Sequence, residues 1–126
     1  MKKIAAKIFA KYINWKSKSW INNPIRAQDK IFKSLIKNAV KTRFGKDHDF
    51  SSIINYDDYK SSVSINDYEQ IKPYVDQIIR GDKDVLWPGR PIYFAKTSGT
   101  TSGAKYIPIT KESMPSHINS ARDAIL

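Results

Sequence analysis

The chain has 126 residues, of which 40% are apolar, 12% aromatic and 27% charged. This composition is typical of one globular domain and argues against a disordered, collagen-like or coiled-coil chain. The absence of cysteine excludes disulfides, thiolate zinc sites and cysteine nucleophiles, and with only two histidines we predict no metal site within the chain. No stretch approaches about 18 consecutive apolar residues. We therefore predict no membrane-spanning helix and interpret the chain as cytoplasmic.

The net charge of +10 is concentrated in the first third of the chain. Residues 1–46 hold 13 Lys and Arg against one acid, Asp29, whereas residues 47–126 hold 9 basic and 11 acidic residues. A basic block of this kind can bind nucleic acid or an anionic membrane surface. Lysine is frequent throughout, however, and no arginine cluster or aromatic ladder accompanies the block. We favour solvated helix faces over either partner.

Helical periodicity predicts a first helix over residues 3–20. Asn23 can cap a second helix, because Pro24 suits the first helical position. The apolar stripe of this second helix predicts that it continues until Gly45 stops it. The pattern makes residues 1–46 a basic helical region.

Residues 47–84 are predicted to form a mixed helical region. Its first half is irregular, with short helical turns. Asn66 with Glu69 resembles a capping arrangement and predicts a helix that runs to Arg80. We expect a kink or a restart inside this helix at Pro73, since proline removes a helical hydrogen bond.

In the region from 85 to 126 the spacing of apolar residues changes from helical to that of short β-strands. Short apolar runs at 91–95 and 106–109 predict two strands, and Thr110 can cap a last helix. This helix has no cap or polar tail at its end, and two strands make no sheet that buries its own faces. We therefore expect the chain to be a piece of a larger protein.

Each of the two histidines could have a chemical role or a structural one. His48 lies between two aspartates and could belong to a proton relay, but aspartate also favours turns after a helix, and we interpret the segment as a turn. His117 lies on the predicted last helix, where we favour a structural or surface role.

The loop between the two predicted strands, residues 97–105, carries the strongest chemical signal. Its glycines let backbone N–H groups approach an anion, its hydroxyls supply donors or magnesium ligands, and its lysine supplies a positive charge. It is not a Walker A loop, because only three residues separate its glycines where that motif has four, and a strand follows the lysine. We predict a clamp for a di- or triphosphate, with a flexible hairpin loop as the alternative. The candidate binding residues are Ser98, Gly99, Thr100, Thr101, Ser102, Gly103 and Lys105.

The segment Thr97-Ser98-Gly99-Thr100-Thr101, followed by Lys105, resembles the phosphate-binding loop of the adenylate-forming superfamily. Together with Leu86-Trp87-Pro88 and Tyr106-Ile107-Pro108, it resembles the bacterial form of the auxin-responsive (Gretchen Hagen) family of acyl-acid amido synthetases. Residues 68–74 fit the same family. The resemblance implies the N-terminal part of an α/β protein: a helical N-terminal layer, then the first strands of the adenylate-forming domain with its phosphate-binding loop.

The resemblance also implies a reaction with ATP and Mg²⁺. A carboxylic acid is adenylated, and an amine, typically of an amino acid, then displaces AMP. The loop hydroxyls would contact phosphate and Lys105 would neutralise its charge. We expect the catalytic residues beyond Leu126, so that the chain is inactive by itself. The alternatives are a fragment of an acyl-CoA ligase of the same superfamily and a non-enzymatic basic helical module.

Overall fold

The computed structural model describes residues 2–98 and 103–125. Within these residues the chain is mostly helical and has one small antiparallel sheet, which is compatible with an α/β fragment. No helix of this described part is both long and apolar enough to cross a membrane. In chain order the elements are α1 (Lys2–Ile21), α2 (Pro24–Ala39), α3 (Arg43–Asp47), α4 (Tyr56–Ser62), α5 (Tyr68–Ile79), β1 (Tyr93–Thr97), β2 (Lys105–Ile109) and α6 (Met114–Ile125).

The second helix begins as predicted but ends earlier than predicted. Pro24 occupies its first turn, yet the side chain of Asn23 makes no capping hydrogen bond. The helix ends at Ala39 rather than at Gly45, because the wholly buried Thr42 closes it. The Thr42 hydroxyl donates to the carbonyl oxygen of Ala39 at 2.7 Å and accepts from the amide of Gly45 at 3.0 Å. One side chain thus ends α2 and caps the start of α3.

Gly45 is therefore not a helix stop but a buried residue inside α3. A Cβ atom at this position would collide with the carbonyl oxygen of Ala39 and lie 3.2 Å from the hydroxyl oxygen of Thr42. The close approach of two backbone segments, rather than a left-handed conformation, is what requires glycine here.

The helix α3 also binds the segment that leads to the sheet. The amides of Arg43 and Phe44 donate to the carbonyl oxygens of Asp84 and Val85, at 2.7 and 3.0 Å. Val85 is only 2% exposed. These two hydrogen bonds join the basic helical region 1–46 to residues 84–85, where the region that contains the sheet begins.

The core lies where α2 packs on the segment after α3. Aromatic rings meet edge to face there, and the ring centroids of Phe44 and Phe50 are 5.8 Å apart. The buried centre of this cluster consists of Ile36, Ala39, Phe50 and Ile53. Around it pack Phe32, Val40, Phe44, Tyr59, Val63 and Trp87.

The helix α5 starts one residue later than the predicted capping pair. Asp67, not Asn66, is the cap, and its side chain accepts from the amide of Gln70 while the Gln70 side chain accepts from the amide of Asp67. The helix runs through Pro73 without a break, so of the predicted kink or restart the restart is wrong, and the kink stays a prediction. Two buried residues that follow the proline, Val75 and Ile78, pack in the interior and stabilise the second half of the helix.

The end of α5 is as predicted. Arg80 is the C-cap residue of α5, and Gly81 follows with φ of +100°. The amide of Gly81 donates to the carbonyl of Ile78, and that of Asp82 donates to the carbonyl of Gln77. This pair of bonds is a Schellman motif, which needs the left-handed conformation that glycine adopts without strain.

The two predicted strands form an antiparallel pair, with β1 shifted two residues along the chain from its predicted start. The register places Tyr93 opposite Ile109 and Thr97 opposite Lys105. Every residue of β1 is exposed. Before α6, Thr110 and Ser113 exchange hydrogen bonds between side chain and backbone, which form the turn that leads into the helix.

Substitution of Val75 by alanine tests the buried side of α5. Val75 is 2% exposed, so we expect the loss of two methyl groups to lower the free energy of unfolding by about 2 kcal/mol. Urea denaturation measures this change. The control is Ile65→Ala, because Ile65 is 100% exposed and its truncation should change stability by less than about 0.5 kcal/mol. Equal losses in both variants would contradict the burial of this side of α5.

Substitution of Gly45 by alanine tests the junction between α2 and α3. Helix propensity by itself favours alanine over glycine by about 1 kcal/mol. The collision with the Ala39 carbonyl should reverse this sign and lower the free energy of unfolding by about 1–3 kcal/mol. A urea titration decides the sign, and a stabilised variant would show that the two backbone segments do not approach so closely.

Candidate phosphate-binding site

The sheet brings the two ends of the predicted phosphate loop together. Thr97 and Lys105 are the last paired residues of the hairpin, so the connection runs from Ser98 to Ala104. Ser98 is exposed, and Gly103 is exposed with φ of +81°, a conformation that favours glycine. The described ends of the connection thus include a serine directly after β1 and a glycine two residues before Lys105, the first residue of β2.

Three of the seven predicted site residues lie in the described part of the chain. Ser98, Gly103 and Lys105 all lie at the same end of the hairpin. The other four predicted residues, Gly99, Thr100, Thr101 and Ser102, lie outside the described residues. Their role in binding phosphate stays a prediction.

Lys105 is half-buried and contacts an aromatic ring that sequence reasoning did not select. Its ammonium nitrogen lies 5.5 Å from the centroid of the Tyr68 ring. This distance is within the range of a cation–π interaction. Tyr68 is the first residue of α5, far from the loop in the sequence but next to its lysine in space.

The Tyr68 hydroxyl is also bonded to the backbone of β2. It accepts from the amide of Tyr106 at 2.8 Å and faces the carbonyl oxygen of the same residue at 3.5 Å, to which it donates. A single tyrosine thus contacts the lysine with its ring and the next residue with its hydroxyl. Nothing in the local pattern of either segment could have predicted this contact, since the two tyrosines lie 38 positions apart in the sequence.

The described groups are of the kinds that bind anions in proteins. An ammonium group, an exposed serine hydroxyl and the backbone beside a left-handed glycine lie at one end of a hairpin, and such groups bind phosphate oxygens. Across residues 2–98 and 103–125, no group of three or more His, Asp or Glu side chains is placed to hold a metal ion.

The segment around His48 is a turn, as predicted. Asp49 has φ of +47°, and the Nδ1 atom of His48 lies 2.9 Å from the carbonyl oxygen of Phe44. The imidazole ring also stacks on the Phe44 ring, with centroids 4.0 Å apart. These contacts give His48 a structural role. His117 is exposed on α6, which agrees with the predicted surface role.

Asp47 belongs to a small polar cluster beside this turn. Its carboxylate accepts from the guanidinium of Arg43 at 2.9 Å and from the hydroxyl of Tyr74 at 3.0 Å. The hydrogen bond from Arg43 lowers the pKa of Asp47, and the bond from Tyr74 acts in the same direction. Burial and the hydrogen bond to Asp47 raise the pKa of Tyr74.

The described fold is compatible with an α/β fragment and contains a candidate anion-binding hairpin, and sequence comparison assigns the family of the chain. A sequence model described as the GH3 family N-terminal domain matches residues 16–125, which is most of the chain. The chain therefore belongs to the GH3 family. This result confirms the resemblance to the auxin-responsive amido synthetases.

Relatives in Arabidopsis thaliana carry names that state an activity. The chain is 29% identical to indole-3-acetic acid-amido synthetase GH3.2 over 94 residues, which are 73% of this chain and 17% of the relative. It is 28% identical to indole-3-acetic acid-amido synthetase GH3.15 over 99 residues, 77% of this chain and 16% of the relative. The chain thus spans about a sixth of the length of these relatives.

The pH dependence of stability tests the Asp47 cluster. Because the folded-state pKa of Asp47 is lowered, its ionised form stabilises the fold above the unfolded-state pKa, and this contribution is lost as the pH falls through the folded-state pKa. We expect the Asp47→Asn variant to lose less stability than the wild type when urea denaturation is repeated between neutral and strongly acidic pH. The control Asp82→Asn, at an exposed position, should follow the wild-type curve. Parallel curves for Asp47→Asn and wild type would argue against the cluster.

Proposed function

We propose that this chain is the N-terminal part of an ATP-dependent acyl-acid amido synthetase. The observation that carries the proposal is the family match over residues 16–125, which includes the whole hairpin and its Lys105. In this proposal residues 1–126 form an incomplete piece of the large adenylate-forming domain. Its parts are the basic helical region 1–46, the mixed helical region 47–84, and the strand–loop–strand–helix region 85–126.

The proposed reaction has two steps. A carboxylate oxygen of the acid attacks the α-phosphorus of ATP, which forms an acyl adenylate and releases pyrophosphate. An amine nitrogen then attacks the acyl carbon, which forms the amide and releases AMP and a proton. Mg²⁺ bound with ATP would supply further positive charge beside the phosphates.

The residues of this chain would act on the β- and γ-phosphates, not on the acid. The ammonium group of Lys105 would offset the charge that the leaving pyrophosphate develops, and the hydroxyls of Ser98, Thr100, Thr101 and Ser102 would donate hydrogen bonds to phosphate oxygens. Each contact to a charged phosphate is worth about 1.5–3 kcal/mol. The contribution is electrostatic and positional, with no covalent step through this chain.

The substrates we propose are a small carboxylic acid and an amine such as an amino acid. The relatives' names specify indole-3-acetic acid and amide formation for those proteins. For this chain we propose the broader class only, with the cytoplasm as the location because the reaction consumes ATP.

The test is an assay of the complete gene product. Its reading frame is first followed beyond codon 126, and the purified protein is then assayed for acid-dependent exchange between ATP and labelled pyrophosphate. Amide formation with a panel of amino acids would support the proposal. A thioester formed only with coenzyme A would identify an acyl-CoA ligase instead. A stop codon directly after codon 126, with salt-sensitive binding to anionic vesicles or DNA, would favour the basic module.

Removal of the Lys105 charge should slow adenylation. We expect Lys105→Ala in the complete protein to lower the rate of pyrophosphate exchange about 10- to 150-fold, which corresponds to the loss of one contact of about 1.5–3 kcal/mol. The matched control is Lys111→Ala, because Lys111 is exposed in the turn after β2. Exchange at the wild-type rate in Lys105→Ala would remove this lysine from the site.

A further inference from the structure

The hairpin that carries the predicted loop is held from outside by one residue of α5. The Tyr68 hydroxyl is bonded to Tyr106, the residue directly after Lys105, and the Tyr68 ring lies beside the Lys105 ammonium group. Between α5 and β2 the described structure therefore shows two contacts of different kind, and both converge on the same short segment.

We propose that Tyr68 is the positioning residue for Lys105, and that it orders the lysine for a polyphosphate before the ligand arrives. This inference rests on the proposed function, in which Lys105 binds the phosphates of ATP. Tyr68 itself does not contact the reacting atoms in this proposal. It acts through the lysine.

The hydroxyl positions the backbone. Since it accepts from the amide and donates to the carbonyl of Tyr106, both groups point away from β1, toward the open edge of β2. The hydroxyl thus takes the place that the backbone of a neighbouring strand would occupy. Fixing Tyr106 also fixes the Cα position of Lys105, the adjacent residue and the first paired residue after the loop.

The ring positions the side chain. A free lysine samples many rotamers, and ordering it on ligand binding costs conformational entropy. The Tyr68 ring, 5.5 Å from the ammonium nitrogen, attracts the charge and restricts it to the side of the hairpin that faces α5. Part of the ordering cost is therefore met in the free protein.

The helix α5 is a rigid support for this contact. The reciprocal hydrogen bonds of Asp67 and Gln70 define the start of the helix at Tyr68. Val75 and Ile78 bury the other end of the helix in the interior. A side chain on such an element holds its partner more precisely than one on a loop.

The test compares two variants of Tyr68 in the 126-residue chain. Tyr68→Phe keeps the ring and removes the hydroxyl, whereas Tyr68→Leu removes both. Nuclear magnetic resonance reports the structural part: we expect the Tyr106 amide to exchange faster in both variants, and the ring-current shift of the Lys105 side chain to disappear only in Tyr68→Leu. A lysine shift that is the same in the wild type and Tyr68→Leu would overturn the inference.

The functional part uses inorganic tripolyphosphate as the probe, titrated into the millimolar range. Tyr68→Phe, which loses both hydroxyl bonds to Tyr106 but acts on the ligand only through Lys105, should weaken binding about 2- to 10-fold, and Tyr68→Leu should weaken it further. The matched control is Tyr74→Phe, which removes a tyrosine hydroxyl from the same helix but on the Asp47 side, and which should bind like the wild type.

A double-mutant cycle separates positioning from simple support of the fold. If Tyr68 acts through the lysine, Tyr68→Leu has no further effect on tripolyphosphate binding in a Lys105→Ala background. Additive losses would overturn the inference and leave the proposed function intact. Equal binding by the wild type and Lys105→Ala would instead count against the phosphate role of the site itself, and with it against the inference. Circular dichroism of each variant confirms that the helices are retained.

Discussion

The hydroxyl of Thr42 is the interaction on which the rest of the structure depends. It is wholly buried and joins the carbonyl that ends α2 to the amide that starts α3. The turn it makes brings the backbone of α3 against residues 84–85, and these lead directly to the hairpin. Because both atoms that the hydroxyl contacts are buried polar groups, leaving either one unpaired would be costly. A single threonine thus connects the helical region to the part of the chain that carries the predicted phosphate loop.

Local patterns predicted the elements better than their ends. Helical period and a change of period were enough for α1, α5 and the hairpin, because each depends on neighbouring residues. The end of α2 was predicted wrongly because its apolar stripe continues past Ala39, while the break depends on a buried hydroxyl that periodicity does not register. A glycine at the end of an apolar stripe is typical of a helix stop, which is why Gly45 was predicted to be one. Its actual role is a close approach to another backbone segment, which only the three-dimensional structure shows.

The candidate site likewise has a part that the sequence predicts and a part that it does not. Glycine, hydroxyl and lysine in a short connection between strands predicted an anion site, and Ser98, Gly103 and Lys105 do lie together at one end of the hairpin. Tyr68 could not be predicted, since its relation to the site exists only because α5 packs beside β2. A residue that supports a site from another helix or strand is not part of the site's own sequence motif, so the motif does not reveal it.

The hairpin is exposed, and this agrees with the proposed larger domain. All of β1 is exposed, and large apolar residues such as Phe94 and Ile107 remain in contact with solvent within the described part of the chain. A two-stranded sheet of this kind is marginal by itself and gains stability from further strands or covering helices. Since the Tyr68 hydroxyl already occupies the edge of β2 at Tyr106, a further strand cannot pair there without displacing it. In the proposed larger sheet a further strand would therefore pair with β1, and the contact between α5 and Lys105 would stay at the opposite edge.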